Sequence, residues 1–198
     1  MGFLMRRSYV SRYTKVSSSF KFRCTRCGLC CSGGPNVSIT VFDAVRIASF
    51  LKIEPKVFIE NYTNIIIADI IPVLALKGDK DGHCLFLYRD VSGKASCAIY
   101  PARPLRCRLY PLLVEGLSFN QVYIDPKSPG VGQGFERPLP NRLIELYIEE
   151  RLTHYRLLLD LLLNRGLNPV DAIYEAFHLI LKRGRVVSID EIDKLGEV

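Results

Sequence analysis

Between Cys24 and Cys31 the chain reads Cys-Thr-Arg-Cys-Gly-Leu-Cys-Cys, and this run limits what the chain can fold into more than any other feature. Four of the seven cysteines fall within these eight residues, a density that points to metal or redox chemistry. Two cysteines separated by two residues can bring both sulfurs to one ion if the chain turns between them. Gly28, directly after Cys27, tolerates the positive φ that such a turn requires. The same spacing opens iron–sulfur cysteine runs, so zinc and iron are both candidates.

With 198 residues the chain is long enough to bury a hydrophobic core without disulfides. The odd cysteine count and the absence of a secretion-signal pattern lead us to expect reduced thiols and a cytoplasmic location. The longest apolar run, Ile65 to Leu76, is short and interrupted by Asp69 and Pro72, so no membrane span is expected. Met1-Gly2 is not read as a myristoylation signal, because Arg6 stands where that signal needs Ser or Thr. Seven thiolates around two dications leave −3, which would lower the formal net charge of +7 to +4. Arg23, Arg26, Arg103, Arg106 and Arg108 lie within four residues of a cysteine and can offset that thiolate charge. A solvated basic face is the alternative use of the same residues.

In order, the chain reads as α+β. A basic, hydroxyl-rich arm spans 1–19, a cysteine-rich metal-binding domain with short β-hairpins and a helix spans 20–140, and a helical pair spans 141–198. Phe20-Lys21-Phe22 alternates like a strand, and Ser32-Gly33-Gly34-Pro35 is a turn. Thr40 is placed to cap a helix with Asp43 in its first turn, and Pro55 opens a second helix to Tyr62. The β-branched residues of Ile65 to Leu76 suit a buried core segment. Cys84 to Tyr88 and Ala95 to Tyr100 form a hairpin about Asp90-Val91-Ser92-Gly93, with a cysteine on each strand. Pro101, Pro104 and Pro111 break up the segment that holds Cys107. A second hairpin joins Leu112–Val114 to Gln121–Ile124, and Pro126 to Pro140 is a Gly/Pro-rich loop. A long amphipathic helix then runs from Asn141 to the stop at Gly166, and Asn168-Pro169 starts another that ends at Gly184. Ser188 to Leu195 adds a short turn.

Three separated blocks carry a family resemblance: CxxCGxCC from Cys24 to Cys31, CLFL from Cys84 to Leu87, and CAIYPARPLRCRLYP from Cys97 to Pro111. Together they resemble the YkgJ-type cysteine-cluster family, also called the CxxCxxCC zinc- or iron-chelating domain, over roughly residues 20 to 134. By that resemblance Cys24, Cys27, Cys30, Cys31, Cys84, Cys97 and Cys107 are the ligand set. Many relatives open a Cys-Pro-Gly-x-Gly-x-Gly loop with a further cysteine, whereas here Ser128 precedes Pro129-Gly130-Val131-Gly132-Gln133-Gly134. Bacterial flagellin lysine methylases carry a similar cysteine domain.

Neighbouring side chains generally point apart, so Cys30 and Cys31 are expected to serve two centres or to bridge them. Two tetrahedral zinc ions that share one bridging thiolate use seven cysteines. Alternatively, a [4Fe-4S] cluster takes four cysteines and leaves three for a second centre or for redox work. Arg103, Arg106 and Arg108 read as donors to the thiolates, with a rival reading as contacts to an anion or substrate. His83 adjoins Cys84, while His154 and His178 read as surface or packing residues. We expect Cys84 and Cys97 to approach the N-terminal cysteines in space.

These features lead to a metal-binding cysteine-cluster protein whose partner is a metal ion, with a protein substrate or partner downstream. The alternative is an iron–sulfur-dependent protein lysine N-methyltransferase, which alone would need S-adenosylmethionine; the glycines from Gly130 to Gly134 lack the strand-turn-helix setting of a nucleotide fingerprint. A zinc-stabilised nucleic-acid-binding module ranks third, because no helix or ribbon reader accompanies the basic arm.

Overall fold

The computed structural model describes residues 13–32, 37–67, 69–116, 121–184, 186–196 and 198. The first twelve residues of the basic arm and the glycine-proline turn at 33–35 lie outside the described residues. Thr40 and Asp43 close a capping box that starts helix α2 (Val41–Leu51), after a single turn of helix, α1 (Leu29–Ser32). Every residue from Val41 to Ala48 is buried, so α2 is a central element. Helix α3 (Pro55–Tyr62) begins on its proline, as expected. The later helices are α4 (Leu105–Leu109), α5 (Asn141–Leu159, continued by a π-helical turn at Asp160–Asn164), α6 (Pro169–Arg183) and α7 (Ile189–Asp193). Asn168 caps α6 with its side chain, and Gly184 ends it in the left-handed region.

The strands form four small antiparallel sheets, which makes the fold α+β with C-terminal helices. Strand β1 (Thr14–Lys15) pairs with β8 (Val122–Ile124), which also pairs with β7 (Leu112–Val114). Thus the described end of the basic segment is held to the expected second hairpin. Strand β2 (Ser19–Phe22) pairs with β9 (Val131–Pro138), where a loop was expected. The pairing shifts between Lys21 and Phe22, so residues 132–135 bulge out and Phe135 is 90% exposed. Backbone bonds hold this strand, and nothing in its burial alternates with period two. The apolar run reads differently as well. It folds as a hairpin, β3 (Thr63–Ile66) on β4 (Val73–Leu76), which buries Leu74, Ala75 and Leu76 but exposes Ile67 and Ile70 near its tip. The expected cysteine hairpin is β5 (Leu87–Arg89) on β6 (Ala95–Cys97), with Cys84 just ahead of β5.

Two buried clusters share the helix α5. Its first half (Leu143, Ile144, Tyr147) packs with Phe20, Phe22, Leu105, Leu109 and Leu112, and its second half (Leu157, Leu158) packs with α2, α3, α6 and the β3–β4 hairpin. Between the two clusters, Arg46 reaches across to α5 and makes two hydrogen bonds to Glu150, at 2.6 and 2.7 Å. Its Nη2 also donates to Asp43 at 2.7 Å. Burial works against the Arg46 charge, but the bonds and charges of Glu150 and Asp43 overcome it. Buried His154 accepts from the Val41 N–H, and its burial lowers the imidazole pKa to about 4.

Candidate metal centre

The loop after β2 is laid onto the cysteine hairpin by backbone bonds. Ala95 N–H donates to Arg26 O at 2.8 Å, and Arg26 Nε donates back to Ala95 O at 3.0 Å. Arg26 also donates to Ser96 Oγ and pairs with Asp90. Gly28 has a φ of 82°, and a Cβ there would meet Ala95 Cβ at 2.9 Å, so both the turn and the close approach to β6 require glycine. On the far side of the run, Cys84 N–H donates to Cys31 O at 2.8 Å. These contacts bring Cys84 and Cys97 beside the N-terminal cysteines across more than fifty residues of sequence.

Cys107 arrives on α4, which fits between Pro104 and Pro111 as a helix of five residues. Asp43 Oδ1 accepts from Leu105 N–H at 3.1 Å, so the start of α4 is fastened to the first turn of α2. Arg23 N–H donates to Gly130 O, and a Cβ on Gly130 would fall 2.1 Å from Arg23 O. That close approach sets the chain just before Cys24 against the segment after Ser128.

Cys30, Cys31, Cys84, Cys97 and Cys107 lie close enough for their charges to act on one another. The hydrogen bond from Cys31 draws the Cys30 thiol down to about 7, against the opposing effect of burial. Cys31 is pushed up by that same bond, by burial and by the charges of Cys30, Cys107 and Cys84. Burial raises Cys84, Cys97 and Cys107, with neighbouring thiolates adding to each. Without a cation, then, the half-buried thiols resist ionising together. A metal ion beside them would supply the opposite charge. Cys24, Cys27 and Cys30 are exposed, so one side of the site faces solvent.

Cys30 Sγ and Cys31 Sγ are 3.5 Å apart. This differs from the expectation that vicinal side chains point apart: on the single turn α1 both sulfurs turn the same way. The separation approaches the edge of a zinc–thiolate tetrahedron, about 3.8 Å for Zn–S bonds near 2.3 Å. No three of the seven sulfurs lie within 4.8 Å of one another. Among the described residues, the group of ligand atoms that does meet this limit is Asp79, Asp81 and His83, on an exposed turn. His83 faces Asp79 at 3.5 Å rather than joining Cys84. The all-sulfur chemistry of the donor set fits zinc or iron and disfavours calcium and magnesium.

The three arginines of the Cys97–Pro111 block have separate places. The charge of Arg103 acts on Cys30 and Cys97, and its guanidinium lies 3.7 Å over the Tyr100 ring. Arg106 donates to Ser38 Oγ at 3.2 Å. Arg108 is buried, pairs with Asp193 on α7 and donates to Pro101 O, and its Nε has no hydrogen-bond partner. Buried Ser128 hydrogen-bonds the Tyr110 hydroxyl, and that phenol also feels the charges of Cys30 and Cys27. Ser128 therefore lies on the cysteine side of the molecule.

Among known proteins, residues 23–127 match the CxxCxxCC family, described as "Putative zinc- or iron-chelating domain". This span is just over half of the chain and contains all seven cysteines. Over 114 residues, 58% of this chain, the sequence is 28% identical to an uncharacterized protein of Methanocaldococcus jannaschii. The chain covers 57% of the length of that relative. No solved structure matches it. Among the described residues, no helix is long and apolar enough to cross a membrane.

Proposed function

Because the chain belongs to the CxxCxxCC zinc- or iron-chelating family, we propose that its seven cysteines form one thiolate centre for zinc or iron, reached by solvent on one side. The observation that carries this reading is the convergence of sulfurs from three separated segments: α1, the β5–β6 hairpin and α4. Cys30 and Cys31, with sulfurs 3.5 Å apart, would hold an ion between them. Cys84, Cys97 and Cys107 would hold it from the inner side, and Cys24 and Cys27 from the exposed loop. The positive charge of Arg103 offsets the thiolate charge beside Cys30 and Cys97. Thiolates that work as ligands suit a reducing compartment such as the cytoplasm. A bound ion would supply positive charge to hold the thiolates ionised and, at an open coordination position, a place for a further ligand.

Metal analysis with visible absorption on protein purified without oxygen tests the reading. Zinc near two per chain without colour is the outcome for two tetrahedral ions that share a thiolate. Iron with acid-labile sulfide and a brown chromophore is the outcome for an iron–sulfur centre, and calorimetry with S-adenosylmethionine would then test the methyltransferase alternative. Protein with neither metal, and with no uptake of zinc or ferrous iron on addition, would overturn the proposal.

A further inference from the structure

A cleft of about 430 Å³ opens between β7 and the α4–α5 pair, and no cysteine lines it. Its apolar side is Leu109, Leu112, Leu113 and Val114. Its polar side carries Arg106 from α4, Arg151 from α5 and Tyr147, with Glu115 at the end of β7 and Tyr13 ahead of β1. Tyr147 is buried, which keeps its phenol protonated, while the charges of Arg151 and Arg106 both act on it. The Arg151 guanidinium lies 5.1 Å over the Tyr147 ring, so both arginines line the cleft beside Tyr147. Arg106 donates to the neutral Ser38 hydroxyl and Arg151 to Gly116 O at 2.7 Å. Neither has a carboxylate partner among the described residues. This contrasts with Arg26, Arg46, Arg108 and Arg165, which all face acids.

We propose that this cleft is a second site, which binds a small amphipathic monocarboxylate with its carboxylate between Arg106 and Arg151 and its hydrocarbon part along Leu109, Leu112 and Leu113. Guanidinium groups with unused donors suit a carboxylate. Two guanidiniums against the single Glu115 carboxylate suit a monoanion better than a phosphate dianion. The volume lies within the roughly 300–1,000 Å³ range of small-molecule sites, and the apolar wall makes a bare anion a poor fit. The site does not depend on a metal, yet Arg106 and Cys107 are neighbours on α4, so ligand and ion share a helix.

Calorimetry on the full chain with octanoate, acetate and inorganic phosphate tests the proposal. Saturable octanoate binding is expected, tighter than that of acetate or phosphate. It should weaken roughly tenfold or more in both Arg151→Met and Arg106→Gln, as loss of a charged hydrogen-bond donor requires. Metal content should stay unchanged in Arg151→Met, which separates this site from the cysteine centre. Circular dichroism confirms the fold of each variant, and Arg151→Lys should keep part of the affinity. Absence of saturable octanoate binding, phosphate binding tighter than octanoate, or octanoate binding indifferent to both substitutions would overturn the assignment.

Discussion

The cysteine face and the helical half of this protein are held together in different ways. From Val41 to Ala48, α2 is wholly buried, whereas from Arg23 to Ser32 Gly28 alone is buried. The helices bury apolar side chains against one another and satisfy the buried Asp43, Arg46 and Glu150 group internally. The cysteine loop has little apolar surface to bury. It hangs from a few backbone bonds, including Arg26 to Ala95 and Cys31 to Cys84, and the half-buried Cys31 feels the charges of Cys30, Cys84 and Cys107. One region satisfies its buried charges within itself, and the other sets ionisable thiols side by side, an arrangement that a cation would relieve.

Removal of the metal should break this comparison most sharply. Chelation is expected to abolish hydrogen-exchange protection at residues 23–31 and 84–97 while α2, α5 and α6 stay protected. For a structural thiolate site the local loss is on the order of 10 kcal/mol. Equal loss of protection in both regions would show that they are not separately held.

Arg46→Met acts on the opposite half. It leaves Glu150 and Asp43 buried without their cation, and removal of one partner of a buried pair costs about 3–5 kcal/mol. Denaturant unfolding should show this loss with metal stoichiometry unchanged. A stability change below about 1 kcal/mol would mean that water replaces the guanidinium.

The third effect depends on pH. His154 accepts the Val41 N–H at the start of α2, so the folded protein favours its neutral form. Burial lowers its pKa from 6.5 to about 4, opposed by Asp43 and reinforced by Arg151. The unfolded chain then binds the extra proton, so its contribution to stability is full above pH 6.5 and is lost as pH falls toward 4. The maximum loss is on the order of 3 kcal/mol. Burial also raises the Glu150 carboxyl to about 7, against the pull of Arg46, and that group acts in the opposite sense over an overlapping range. The measurement is therefore a difference: stability relative to His154→Gln should decline from pH 6.5 to 4. A difference independent of pH would place a protonated imidazole in the fold.

Local signals were the legible ones. Thr40 with Asp43, Pro55, Asn168-Pro169 and Gly184 mark helix ends through chemistry confined to a few residues, and each appears where the sequence places it. The cysteine hairpin was legible from its turn. Strand β9 was not, because its pairing with β2 comes from backbone groups more than a hundred residues away and its glycines hide any period. The buried ionic group left a trace that pattern reading alone passes over. Glu150 falls one turn after Tyr147 on the apolar stripe of α5, and Arg46 falls among the buried residues of α2. An acid and a base on two core faces imply each other only once the helices are known to touch. In the site, the spacing marked the cysteines, but the common direction of Cys30 and Cys31 depends on the helical turn that carries them.

X-ray absorption at the metal edge of the loaded protein tests the central claim most directly. A thiolate centre predicts sulfur scatterers alone in the first shell, near 2.3 Å for zinc. Nitrogen or oxygen scatterers near 2.0 Å in their place would contradict it, and would move the ion to a site such as the Asp79, Asp81 and His83 turn.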